Sequence, residues 1–296
     1  MYRKSFSKSA GPSRSSHSQF RRGSRPASIY NRPPKTNRTN RGSGGPKGER
    51  IDTRRFVNKA VITEEVENFI PEHNFIDFQI EDSLKSKIVK KGYVLPTPIQ
   101  DRAIPHVLKG QDLVGVANTG TGKTAAFLIP LINKVLRDKK SEILIIVPTR
   151  ELALQIDQEL KGFTQGMGIF SVCCFGGAPI SRQLRDLRYQ NNFIIGTPGR
   201  LKDLINRNAI NLSKFNTLVL DEADSMLDMG FINDMRFVMS LMPKERQTLF
   251  FSATISPTVE TLINEFLKEP VRISVKTQDT AKNVDQDVVK VSGSKS

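Results

Sequence analysis

Long apolar runs, paired cysteines and, in its first fifty residues, acidic side chains are what this 296-residue sequence has little of. Runs such as Ile143–Val147 are far shorter than the roughly 20 apolar residues a membrane-crossing helix needs, so no membrane partner is expected. The only two cysteines, Cys173 and Cys174, are adjacent, which leaves no second pair for a zinc site or a disulfide framework and fits a reducing, cytoplasmic location. An apolar content of 38% is low for a wholly globular chain. No repeat of 20–50 residues is visible, which argues against a solenoid or propeller.

The scarcity of acids is local. Residues 1–50 carry 13 Lys or Arg against one acid, Glu49, a net of +12 out of the chain's +15. The same stretch is rich in Ser, Gly, Pro and Asn and cannot bury enough apolar surface to offset the entropy of ordering. It is expected to be a disordered tail, either a solvated leader or a basic arm for phosphate backbones. Its Ser- and Arg-rich composition also suits a mitochondrial transit peptide, but Pro12, Pro26, Pro33 and Pro34 would break the amphipathic helix that reading requires.

From residue 51 the texture changes. Residues 51–71 read as a linker. Thereafter β-branched apolar runs recur at Leu113–Ala117, Ile143–Val147, Ser171–Phe175, Phe193–Gly196, Leu218–Leu220 and Leu249–Phe251. Segments of helical periodicity, such as Thr124–Leu136 and Glu151–Phe163, lie between them. Strands alternating with helices predict an α/β domain over 72–275, with a largely parallel sheet covered on both faces.

Two segments carry chemistry. After the first predicted strand comes Asn118-Thr119-Gly120-Thr121-Gly122-Lys123-Thr124, and then a helix. Glycines let backbone N–H groups form a concave cradle for phosphate oxygens, and the helix aims its positive end at the same place. Lys123 suits the β- and γ-phosphates and the Thr124 hydroxyl suits Mg2+. Ala117 stands where the general pattern begins with Gly. The second segment, Asp221-Glu222-Ala223-Asp224, follows Thr217–Leu220. Ligands of open α/β sheets bind beyond the carboxyl ends of strands. Asp221 is therefore a candidate Mg2+ ligand and Glu222 a candidate to orient or deprotonate the attacking water.

These segments and five others, in order, resemble the N-terminal lobe of DEAD-box ATP-dependent RNA helicases. Gly92–Gln100, with the upstream Phe75, is similar to the family's Q motif; Ala117–Thr124 to motif I; Pro148–Ala153 to motif Ia; Gly176-Gly177 to its GG element; Thr197–Arg200 to motif Ib; Asp221–Asp224 to motif II; and Ser252-Ala253-Thr254 to motif III. The resemblance implies a RecA-like P-loop lobe that uses ATP and Mg2+ and acts on single- and double-stranded RNA, as a monomer. It implies nucleotide contacts from Phe75, Tyr93, Thr97 and Gln100 and from the loop Ala117, Asn118, Thr119, Gly120, Thr121, Gly122, Lys123 and Thr124. In it Tyr93 stacks on adenine and Gln100 reads the base edge. Catalysis falls to Lys123, Asp221, Glu222 and Asp224, with Ser252 and Thr254 linking motif II to RNA, and Mg2+ to Thr124 and Asp221. RNA contacts fall to Thr149, Arg150, Gly177, Thr197, Pro198, Gly199 and Arg200, groups that suit a sugar–phosphate backbone rather than base edges.

A second RecA-like lobe is also implied, yet residues 276–296 read as an inter-lobe linker or disordered end. Without an arginine finger from that lobe the chain is expected to bind ATP and RNA but not to unwind. A stand-alone RNA-binding module and a DNA-directed P-loop motor are the competing readings. The retained Glu222 counts against the first, and the Q motif against the second.

Overall fold

The computed structural model describes residues 69–275. The expectations for the basic tail at 1–50, for most of the linker at 51–71 and for the end at 276–296 lie outside the described residues.

In chain order the elements are α1 Asp82–Lys90, α2 Pro98–Leu108, β1 Leu113–Ala117, α3 Lys123–Arg137, β2 Ile143–Ile146, α4 Arg150–Thr164, β3 Ser171–Cys174, α5 Ile180–Asp186, β4 Phe193–Gly196, α6 Pro198–Asn206, β5 Thr217–Leu220, α7 Ala223–Asp228, α8 Ile232–Ser240, β6 Gln247–Ser252, α9 Pro257–Phe266 and β7 Val271–Val275. All seven strands pair in parallel, in the order β3-β4-β2-β5-β6-β1-β7. Every residue of β2, β4, β5 and β6 is buried, as strands covered on both sides must be. The period of two sorts them: Ile143, Ile145, Leu249 and Phe251 face a core built with α1 to α4. Leu144, Ile146 and Phe250 face a second core with α6, α8 and α9. This is the RecA-like P-loop fold.

Six strands fall where the apolar runs predict them. The seventh, Val271–Val275, is not among those runs, although it lies within the 72–275 domain. Among the described residues it is an edge strand that pairs with β1 alone, and of its five residues only Ile273 is buried. A single buried position leaves a weak apolar signal, although the alternation Val-Arg-Ile-Ser-Val carries the period of two.

The parallel sheet points the carboxyl ends of its strands to one edge. Helix starts follow them closely: Thr149 accepts from Leu152 N at 3.3 Å to cap α4, and Pro198 opens α6 at a position where a missing N–H costs nothing. No helix among the described residues is long and apolar enough to cross a membrane.

Candidate nucleotide site and nucleic-acid face

The strand order divides the carboxyl edge in two. On one side β1, β5 and β6 end in the glycine-rich loop, the acidic segment and Ser252-Ala253-Thr254. On the other, β2, β4 and β3 end in Thr149-Arg150, Thr197–Arg200 and Gly176-Gly177.

A pocket of about 310 Å³ opens on the first side, in the size range of small-molecule sites. Tyr93, Thr119, Gly120, Gly122, Lys123 and Thr124 line it together with Asp221 and Glu222. Gly120 and Gly122 adopt positive φ of 81° and 92°, which a side chain would resist. A Cβ on Gly122 would also collide with the Gln100 amide, so this glycine is required twice. Lys123 is 6% exposed and its Nζ has no hydrogen-bond partner. A buried ammonium without a hydrogen bond is costly, and an anion in the pocket would accept one.

Asp221 lies beside it, also buried. Burial pushes its carboxyl up to about 6, with Lys123 pulling the other way and Glu222 adding to the rise. Glu222 donates its backbone N–H to Asp221 Oδ1 at 3.0 Å and sits at φ 52°, ψ 50°, left-handed backbone that a glutamate rarely adopts. Such strain, of about 1–3 kcal/mol, collects at working sites. A glycine-rich loop, an ammonium without a hydrogen bond, the Thr124 hydroxyl and a buried carboxyl group are the set that a Mg2+–triphosphate needs, so the residues present fit both groups.

Other expected nucleotide contacts stand behind the pocket wall. Phe75 is 2% exposed and meets Tyr93 edge-on at 5.7 Å, so it supports that ring instead of facing the pocket. Gln100 is also buried; its Oε1 accepts from Thr97 N at 3.0 Å and its Nε2 donates to Gly122 O at 3.1 Å. The amide thus ties α2 to the phosphate loop. Thr97 Oγ1 is buried next to Gly122 and forms a capping box with Gln100 at the start of α2. Thr121 turns its hydroxyl onto Asn118 O at 2.8 Å and shapes the loop, which Ala117 enters as the buried end of β1.

Asp224, Ser252 and Thr254 form a separate cluster. Asp224 Oδ2 accepts from Ala253 N at 3.2 Å, Thr254 N at 3.0 Å and Thr254 Oγ1 at 2.9 Å, and Ser252 Oγ donates to Thr254 O at 2.8 Å. The end of the acidic segment is clamped to the end of β6.

On the second side Arg150 is exposed and its guanidinium lies 5.2 Å from the centre of the Phe175 ring. Arg200 turns inward, donating to Ala178 O at 3.3 and 3.4 Å, and so holds the loop in which Gly177 takes φ 76°. Pro198 is buried and Gly199 exposed at the start of α6, while Thr197 donates its N–H to Cys174 O at 3.0 Å. Burial pushes both Cys173 and Cys174 up to about 12, so neither thiol ionises near neutral pH.

Sequence patterns are silent on most of a third wall of the pocket. Leu152, Gln155, Ile156 and Glu159, all on α4, line it beside Tyr93. Of these only Leu152 lies in a motif segment, Pro148–Ala153, and the packing of α4 brings the other three there. Equally silent is Asp101, which accepts from Glu72 N at 2.8 Å, His73 N at 3.2 Å and His73 Nδ1 at 2.7 Å, and so latches the segment carrying Phe75 onto α2.

The sequence pattern of the DEAD/DEAH box helicases matches residues 97–262, more than half of the chain. The chain belongs to the DEAD/DEAH box helicase family. It is 43% identical over 221 residues to the ATP-dependent RNA helicase CshA of Listeria monocytogenes, an alignment covering 73% of this chain and 42% of CshA. The chain thus spans about two fifths of that relative. Two solved structures are similar: a DEAD box protein from the hyperthermophile Methanococcus jannaschii, with TM-score 0.67 and 36% identity over 70% of this chain and 57% of that one, and a hypothetical ATP-dependent RNA helicase from Sulfolobus tokodaii, with TM-score 0.62 and 32% identity over 66% and 57%. The described residues are a DEAD-box RecA-like lobe.

Proposed function

We propose that this lobe binds Mg2+–ATP between the glycine-rich loop and the Asp221–Glu222 step, and that it holds RNA by its backbone along the ends of β2, β3 and β4. The observation that carries the reading is the buried Lys123 Nζ, which has no hydrogen-bond partner among the described residues and lines the same pocket as Gly120 and Gly122. Lys123 pairs with phosphate charge. Thr124 and Asp221 hold Mg2+, which when bound neutralises phosphate charge and orients the γ-phosphoryl group. Glu222 holds the attacking water and takes its proton. Tyr93 offers its ring to the base, and Gln100 keeps Gly122 and Thr97 in register behind it. The clamp from Asp224 to Thr254 carries the state of this pocket to β6.

RNA remodelling is assigned to the chain acting with a second RecA-like lobe. Phosphoryl transfer in this fold class gains several powers of ten from an arginine supplied across the site. The chain on its own should bind nucleotide and single-stranded RNA, hydrolyse ATP slowly and leave duplexes intact. Calorimetry tests the central point. Lys123→Ala should bind Mg2+–ATP about a hundredfold more weakly, because a charge-assisted bond in a buried site is lost. Equal affinity for the variant and the parent would overturn the assignment of this pocket to triphosphate.

A further inference from the structure

Glu159 has two partners and both reach it from the Q-motif side of the pocket. The Tyr93 hydroxyl donates to Oε1 at 2.8 Å, and the Lys91 ammonium to Oε2 at 3.2 Å. The Lys91 and Glu159 side chains are only 24% and 29% exposed. Lys91 is itself fixed, lying 4.6 Å from the centre of the Phe163 ring in space that a side chain on Gly162 would fill. Tyr93 touches Phe75 edge-on at 5.7 Å and Phe163 at 5.6 Å. Two aromatic neighbours therefore set the position of the ring, and Glu159 fixes its tip. Burial together with the hydrogen bond and charge of Glu159 raises the tyrosine hydroxyl above its ordinary range, so it stays protonated and remains a donor.

Stacking a base needs only a flat ring, and phenylalanine would do as well. The hydroxyl on Tyr93 must then have another use, and its geometry names one. We propose that Glu159 is a positioning residue for nucleotide binding: it anchors the Tyr93 hydroxyl, so that the ring stands ready for a purine base before the nucleotide arrives. A ring held by its aromatic neighbours alone keeps residual side-chain motion at its tip, and ordering it would be charged against binding. The inference rests on the reading that Tyr93 contacts the base. It adds the middle of α4, past the motif segment that ends at Ala153, to the elements that decide nucleotide affinity.

The two roles open to Glu159, holding the ring or merely pinning residues 91–97 to α4, differ in what they do to a ligand without a base. Calorimetry on the full chain with Mg2+ should therefore compare ATP with inorganic tripolyphosphate. Glu159→Ala and Tyr93→Phe should each weaken ATP binding about fivefold, the usual size for one lost hydrogen bond, and leave tripolyphosphate within about twofold. Glu159→Gln should stay close to the parent, because an amide oxygen still accepts from the hydroxyl. The double variant Tyr93→Phe/Glu159→Ala should be no weaker than either single one, because both remove the same bond.

Three results would overturn the proposal, and they are distinguishable. If Tyr93→Ala loses ATP affinity but Glu159→Ala and Tyr93→Phe do not, the ring works unanchored and base contact still stands. If Tyr93→Ala binds ATP like the parent, base contact itself fails and the inference falls with it. If Glu159→Ala weakens ATP and tripolyphosphate equally, Glu159 supports the fold only. Should Glu159→Ala fail to fold, Tyr93→Phe carries the test, since it deletes a single oxygen.

Discussion

The two halves of the carboxyl edge are built from the same parts and left in opposite states. Where β1, β5 and β6 end, polar groups are unfinished: Lys123 Nζ is buried without a hydrogen-bond partner among the described residues, and Glu222 holds a strained backbone. Where β2, β4 and β3 end, the corresponding groups are occupied within the chain: Thr149 caps α4, Arg200 bonds Ala178 O, and Arg150 lies against Phe175. The first half stores cost that a ligand can relieve. The second is a finished surface whose ligand must share groups already in use. A site of the first kind should bind tightly and discriminate; one of the second should bind weakly and without regard to sequence.

The largest effect expected from breaking this contrast is at Glu222. Its left-handed backbone and its bond to Asp221 place the carboxylate on the pocket wall, where it can act on water but not on ground-state phosphate charge. Glu222→Gln should keep ATP affinity within about twofold and slow single-turnover hydrolysis at least about a hundredfold, as loss of a general base does. Phosphate release timed with protein in excess over ATP measures it. Unchanged hydrolysis would show that the strain at Glu222 serves something other than chemistry.

A smaller effect separates the clamp from the pocket. Thr254→Val removes one of three donors on Asp224 Oδ2 and keeps the shape of the side chain. Loss of one part-exposed hydrogen bond should lower stability by about 1 kcal/mol and the melting temperature by about 2–4 °C, with ATP affinity unchanged. A drop in ATP affinity without a drop in melting temperature would mean that the clamp is part of the pocket itself.

These contrasts were unevenly legible in the sequence. The phosphate loop reads directly because Gly120, Gly122, Lys123 and Thr124 are contiguous and act through backbone shape. The acidic step reads because strand ends and ligand sites coincide in parallel sheets. Glu159 does not, since it meets Tyr93 across 66 residues and sits among ordinary polar positions of an amphipathic helix. The orientation of Arg200 is likewise a tertiary outcome: its place at a strand end reads as an outward phosphate contact, whereas the fold turns the guanidinium back onto a backbone carbonyl. Strand β7 is faint for a plainer reason, having one buried residue where β2 has four.

The smallest effects belong to the half proposed to hold RNA, and they distinguish its two arginines. Arg150 is exposed, so a phosphate can approach its guanidinium while the ring of Phe175 stays beneath it. Its loss should remove one phosphate contact: affinity for single-stranded RNA should fall about threefold, and the slope of log affinity against log salt should shrink by about 0.7. The Arg200 side chain is only 14% exposed, and its N–H groups point at Ala178 O. Arg200→Ala should therefore weaken RNA binding by loosening the loop at Gly177, with the salt slope unchanged, because no counterion-releasing contact disappears. Fluorescence titrations of a labelled oligonucleotide at several salt concentrations give both quantities. Should Arg200→Ala lower the slope as much as Arg150→Ala does, the guanidinium must leave Ala178 when RNA binds, and this half of the edge is no more finished than the other.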